Sequence, residues 1–353
     1  MAKILPFFSP AARQSRAGAQ EALIASFASH RRSQEDVFWL KENAELLNIL
    51  ECTGADVTAE ALAPLQPFYE GAARRISFFR QYYRFILSIC LDLEDLGLRG
   101  QTGAQIAEWV CAQGLVAAEL SDLQRAEARR LLARRGFTMK DDGLDDRLRS
   151  FISRPQTFAI PNKKAAYELT HIVFYLSGYG RRDPGLPQAA ITSLEFAGLV
   201  AFLDQNADLL AEICIAMRYV GQQPPAAWEA WLDAQVSAYL LARGEFIGLH
   251  DACHEYFVVN WLMLLSGRPA FRQPVPVGAV HVSAQQGGSI LRSLSEAVFE
   301  AGMARASWSV VKARAEAALS EEEHGILLAA ERSCEGFAGF FEGFARAGSA
   351  GAA

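Results

Sequence analysis

The chain has 353 residues, of which 51% are hydrophobic and 21% charged, with a formal net charge of -6. That balance is globular rather than disordered, and the length allows one large domain or two ordinary ones. The negative net charge excludes a general affinity for nucleic acid or anionic membrane surfaces; basic runs such as "RRLLARR" (129–135) lie beside acids at helical spacing and read as solvated helix faces.

Almost every segment is periodic near 3.6 residues, and strand-like alternation is nearly absent. "SQEDVFWLKENAELLNILE" (33–51) gathers Val37, Leu40, Leu46, Leu47 and Ile49 along one broad face, with Ser33 as the expected N-cap and Asp36 in the first turn. A long apolar helix is predicted over 76–97, ending near Gly97. "TGAQIAEWVCAQGL" and "SDLQRAEARRLLARRG" follow as a hairpin closing on Gly136. The first extended break is 137–164. Helices are then predicted over 163–178, 188–203, 206–221, 225–242 and 250–266, punctuated by Asp183-Pro184-Gly185, Gln223-Pro224-Pro225 and Arg243-Gly244. A second break, proline-rich, covers 268–288, and three more helices are expected near 289–303, 305–317 and 320–346.

The expected fold is therefore all-α, built from antiparallel helical hairpins. Segments 167–179 and 254–265 are apolar nearly all round, which implies burial on both sides and a two-layer α/α toroid, with a helical solenoid or a bundle as the alternatives. Residues 1–136 form an N-terminal helical region that either stands apart or continues into the main domain at 137–346, and 347–353 are a frayed tail. The six cysteines (Cys52, Cys90, Cys111, Cys214, Cys253, Cys334) include no CxxC pair, as expected of reduced thiols in the cytoplasm. "MAKILPFFSPAARQSR" lacks a signal peptide's continuous apolar stretch, and "FVVNWLMLL" (257–265) is far short of the ~20 residues that span a bilayer. The expectation is a cytoplasmic protein with no membrane and no nucleic-acid partner.

Two segments keep ionisable groups inside apolar runs. In "YELTHIVFYLSGYG" (167–180), Glu168, His171, Tyr175 and Tyr179 share one helical stripe. In "GLHDACHEYFVVNWLMLL" (248–265), Asp251, Cys253 and His254 open a helix that carries no further charge after Glu255 until Arg268; His250 and His254 are four apart. Burying such groups costs several kcal/mol unless they are paired or ligated. Three chemistries fit. Zinc accepts carboxylate, thiolate and imidazole, here Asp251, Cys253, His254 and His171. A di-iron centre uses acid-x-x-His pairs on separate helices, here Glu168/His171 and Asp251/His254, with Glu195 and Glu212 available to complete it. Without a metal, His171 and Glu168 form a general acid–base pair among tyrosines. Satisfied core packing of the same side chains is the bland alternative.

"DDGLDD" (141–146) matches the aspartate-rich magnesium motif of class I terpene synthases at Asp141, Asp142 and Asp145, and reads as a solvated loop. His281 lies in the proline-rich break and reads as exposed, though it could close over a pocket mouth; His30 and His324 read as surface. No Walker loop, dinucleotide fingerprint or Gly-x-Ser-x-Gly elbow is present.

"DACHEYFVVNWLMLL" resembles the helix of protein prenyltransferase beta subunits that opens on an Asp-x-Cys zinc pair, with Asp251 and Cys253 in those positions. The resemblance implies an α/α toroid and a zinc ion whose third ligand is a later histidine, for which His281 or His324 stands. Thr170, His171, Phe174 and Tyr175 resemble a Thr-His-x-x-Phe-Tyr helix of uncharacterised bacterial all-helical proteins, which favours His171 among the histidines. The expectation is an enzyme acting on a small molecule or peptide in a central cavity. His171, Asp251, Cys253 and His254 hold a divalent metal, zinc before iron, while Glu168 and Tyr175 do acid–base work. The alternative is a non-catalytic helical binding or scaffold protein for a peptide or apolar ligand.

Overall fold

A computed structural model describes residues 16–140, 143–244, 251–285, 287–300 and 307–345. His250, Asp141 and Asp142, the segment 1–15 and the tail 347–353 lie outside the described residues. The fold is mainly α.

Helix α1 (Arg16–Ser29) leads to α2 (Val37–Cys52), whose cap is Asp36 rather than the expected Ser33: the Asp36 carboxylate accepts the Phe38 amide at 2.8 Å. Such a cap is worth about 1 kcal/mol. A short α3 (Ala59–Leu62) precedes α4 (Gln66–Phe78) and α5 (Tyr83–Asp95). These last two replace the single helix expected over 76–97. The chain leaves the helical region at Phe79 (φ -97, ψ 58), inside an aromatic run of weak helix propensity, so Tyr83 is buried while Phe78 stays exposed. Helices α6 (Thr102–Ala112) and α7 (Asp122–Ala133) follow as expected, the second capped by Ser121.

The break expected over 137–164 contains α8 (Leu144–Ile152) and α9 (Pro155–Phe158). Next come α10 (Lys163–Ser177), α11 (Gln188–Leu203) and α12 (Ala207–Tyr219), at the expected positions; Asn162 and Asn206 cap the first and third. Helix α13 (Ala226–Ala238) stops four residues short of its expected end, because Leu240–Arg243 forms strand β1 and pairs antiparallel with β2 (Val280–Ser283). The β2 stretch lies in the second break, where Val280 and Val282 alternate inward at strand period. Between them lies α14 (Cys253–Leu265). The chain ends in α15 (Leu291–Glu300), α16 (Trp308–Ala318), α17 (Glu321–Ser333) and α18 (Phe337–Phe344). The last two divide the helix expected over 320–346, since Cys334 is extended (φ -142, ψ 126).

Helix α12 packs against α10, α11 and α14, and Ala207 and Leu209–Met217 are all buried. Helix α11 approaches Trp228 so closely that a Cβ on Gly198 would lie 2.3 Å from the indole ring, so glycine is required there. One buried apolar cluster runs from Ala19 to Ala345 across the boundary expected at residue 136. Among the described residues no helix is long and apolar enough to cross a membrane.

Candidate functional site

A cavity of about 640 Å³ opens between α2, α5 and α7 on one side and α10 and α14 on the other. His171, Tyr175, Asp251, Cys253 and His254 all line it, together with Glu42, Glu45, Glu127 and Arg130. Glu168 does not. It is half-buried on α10 and is not part of this lining, and among the described residues no hydrogen bond or ion pair joins it to His171. Tyr179 lines the cavity from beyond the helix: α10 ends at Ser177 with Gly178 as its cap, so the four-residue helical stripe is broken before its last member.

The two ends of the expected metal set are in different circumstances. Asp251 precedes α14, which starts at Cys253, so Asp251 and His254 are not a helical i, i+3 pair. Instead Asp251 accepts the amides of Cys253 (2.9 Å) and Val282 (3.1 Å) and both terminal nitrogens of Arg31 (3.2 and 3.3 Å). Arg31 is fully buried, stacks over Phe27 at 4.4 Å, and also donates to Glu42 (3.1 and 3.2 Å) and to the Val280 carbonyl. Burial opposes ionisation of Asp251, yet the Arg31 guanidinium and the amides hold its carboxyl below the usual carboxylate range. Burial pushes the Cys253 thiol up, against the pull of Arg31, which leaves it a poor thiolate ligand. His281 is not a free loop histidine: it sits on β2 with Nδ1 2.7 Å from Asp251 Oδ2, though not aligned for a hydrogen bond. The sulfur of Cys253 does not join that pair, so the Asp251–Cys253–His281 set implied by the prenyltransferase resemblance does not converge.

Convergence occurs at the other end. Ligand-type atoms of Asp208, Glu212 and His254 lie within 4.8 Å of one another, the only such group among the described residues. Asp208 and Glu212 are one turn apart on α12 and so project from one face. Helix α10 supports both: Tyr167 Oη donates to Asp208 (3.1 Å) and Thr170 Oγ1 donates to Glu212. Glu212 is only 2% exposed. Burial raises its pKa, with His171 and then His254 the positive partners that draw it back.

Both histidines are held by one nitrogen. His171 Nδ1 donates to the Tyr167 carbonyl at 2.8 Å, which fixes the tautomer and leaves Nε2 without a partner among the described residues. His254 Nδ1 contacts both oxygens of Asp208, at 2.9 and 3.0 Å. Its side chain is 47% accessible, into the cavity that it lines. Burial disfavours its charge, but Asp208, with Glu45 and Glu212, holds its pKa up at about 10. Carboxylates that orient imidazoles while a second ring nitrogen stays free are what a catalytic metal or a proton-transfer site needs. Burial drives the Tyr175 phenol well above its ordinary pKa, which suits it to donate a hydrogen bond rather than to act as a base.

Asp208 and Glu212 escaped the sequence reading as a pair, although the signal was present: they are the only acids in "ADLLAEICIAMRY", spaced i, i+4 in a helix whose one other charge is Arg218 in its last turn. Residues 1–347 match the family described as Domain of unknown function (DUF6902), and the chain belongs to it. No curated protein and no solved structure matches.

Proposed function

Starting from a family whose description carries no activity, we propose that this protein is an enzyme acting on a small molecule in the 640 Å³ cavity. A divalent cation is held by Glu212, Asp208 and His254, with His171 beside them. The observation that carries this is the convergence of Asp208 and Glu212, from behind the lining, on His254, which with His171 lines a substrate-sized cavity. Two carboxylates with one or two imidazoles suit zinc first and iron second. When bound, such an ion supplies a Lewis acid and a water of lowered pKa. The chain's own residues orient and exchange protons: Thr170 fixes Glu212, Tyr167 fixes Asp208 and His171, and the free Nε2 of His171 accepts or returns a proton at the cavity wall. Because the His254–Asp208 pair keeps the imidazole protonated to high pH, an ion must displace that proton, and affinity rises with pH.

One observation favours a second reading within the same cavity. The His254–Asp208 ion pair is already a satisfied acid, so the site can also work by metal-free proton transfer with His254 as acid and His171 as base. Elemental analysis separates the two. The protein is purified without chelators or a metal-binding tag, beside His254→Ala and Glu212→Gln. Near-stoichiometric zinc or iron, lost in both variants, supports the metal centre; metal-free wild-type protein with intact folding overturns it in favour of the second reading.

A further inference from the structure

The cavity carries a cation that its surroundings leave unanswered. Arg130, on α7, makes no hydrogen bond or ion pair among the described residues, and its Nε is buried without a partner. Two carboxylates near it are engaged elsewhere. Glu127, one turn earlier on α7, accepts from Arg84, and Asp92 on α5 accepts from Arg134 (2.6 Å) and Ser88 (3.1 Å). Glu45, another acid of the cavity lining, forms no hydrogen bond or ion pair with it among the described residues. Leaving a guanidinium partly desolvated and unpaired is costly by about 1–3 kcal/mol or more.

The guanidinium is nonetheless held in place. It lies 4.5 Å from the ring centroid of Tyr179 and 5.8 Å from that of Tyr175. Tyr179 itself is pinned: it has a left-handed backbone (φ 59) between Gly178 and Gly180, and its ring stacks on Trp261 at 5.8 Å. A non-glycine residue in that region costs about 1–2 kcal/mol, and such strain clusters at binding sites. Behind Arg130 a second cavity of about 280 Å³ is lined by Arg182, and by Arg129 in an ion pair with Asp145. Across the main cavity the wall is apolar at Phe85 and Phe257.

We propose that Arg130 is the anion-recognition residue of the cavity, and that the ligand is a small organic anion whose carboxylate or phosphate meets the guanidinium while its apolar body lies against Phe85 and Phe257. A planar fork with free donors matches either oxyanion. This deepens the proposed enzymatic reading by giving the substrate class. It uses residues apart from the metal centre and shares only the cavity with it.

Isothermal titration of the full chain with benzoate, phenyl phosphate and inorganic phosphate tests the assignment, with and without EDTA. The variants are Arg130→Gln, Arg130→Lys and, as a surface control, Arg292→Gln. The expected result is saturable binding of at least one probe, weakened about tenfold or more by Arg130→Gln, less by Arg130→Lys, and unchanged by Arg292→Gln or EDTA. Preference among the probes tells carboxylate from phosphate. Should Arg130→Gln fail to fold by thermal melt, Arg130→Lys decides alone, and wild-type affinity in it overturns the proposal. No binding of any probe, or equal affinity in Arg130→Gln, overturns it too. Binding abolished by EDTA and indifferent to Arg130 places the anion on the metal, which sinks this inference and leaves the metal centre standing. Anion binding through Arg130 in metal-free protein does the reverse.

Discussion

The two ends of the α14 wall hold similar residues in opposite states. At the Asp251 end, Arg31, Glu42 and Asp251 exchange hydrogen bonds among themselves and with the amides and carbonyl of the strand region, and the thiol of Cys253 is unionised. At the His254 end, among the described residues, Glu212 has one hydroxyl partner, and His171 has one ring nitrogen without any. A buried charge whose donors and acceptors are filled is architecture, because nothing remains to offer a ligand. A buried charge with vacant capacity is held there by the fold at a cost, and that vacancy is where chemistry can enter.

The sharpest break between the ends is Arg31→Met. Removing the cation leaves two buried carboxylates facing each other and should cost about 3–5 kcal/mol in urea unfolding, with bound metal per folded molecule unchanged. Glu212→Gln should behave in the opposite way: metal affinity falls at least about tenfold, while stability moves by no more than about 1 kcal/mol, because the amide keeps the Thr170 bond and a buried charge is gone.

Acid titration sharpens the contrast next. The Asp251 carboxyl is lowered in the fold, so its stabilisation is complete above the unfolded value near about 4 and is lost as pH falls through its lower folded pKa. Wild type should therefore lose stability below about pH 4 more steeply than Asp251→Asn, as read by denaturant midpoints across pH 2 to 7. The smallest effect is expected at Glu168. Glu168→Ala should shift stability by only about 0.5 kcal/mol and leave metal content alone; loss of metal there would return Glu168 to the site.

Much of the helical frame was legible because apolar period and caps are local. Helices α10, α11 and α12 stand where period, Asn162, Asn206 and the intervening turns place them. Phe79 and Cys334 interrupt longer periodic runs, and β1 takes the end of a helical pattern, because backbone pairing with β2 across 40 residues is not a local property. At the site, the oddity of His171 and His254 in apolar helices was visible, and both line the cavity. Their partners were misassigned: sequence spacing favoured Glu168 and Asp251, neighbours along the chain, over Asp208 and Glu212, neighbours in space.

By itself the sequence determined that this chain is mainly helical and which histidines stand in its most apolar helices, since both follow from periodicity. Only the tertiary structure decided which of the buried acids Arg31 would neutralise and which would be left beside a histidine, because that depends on how α2, α12, α14 and β2 meet, and no spacing along one helix records the helix it faces.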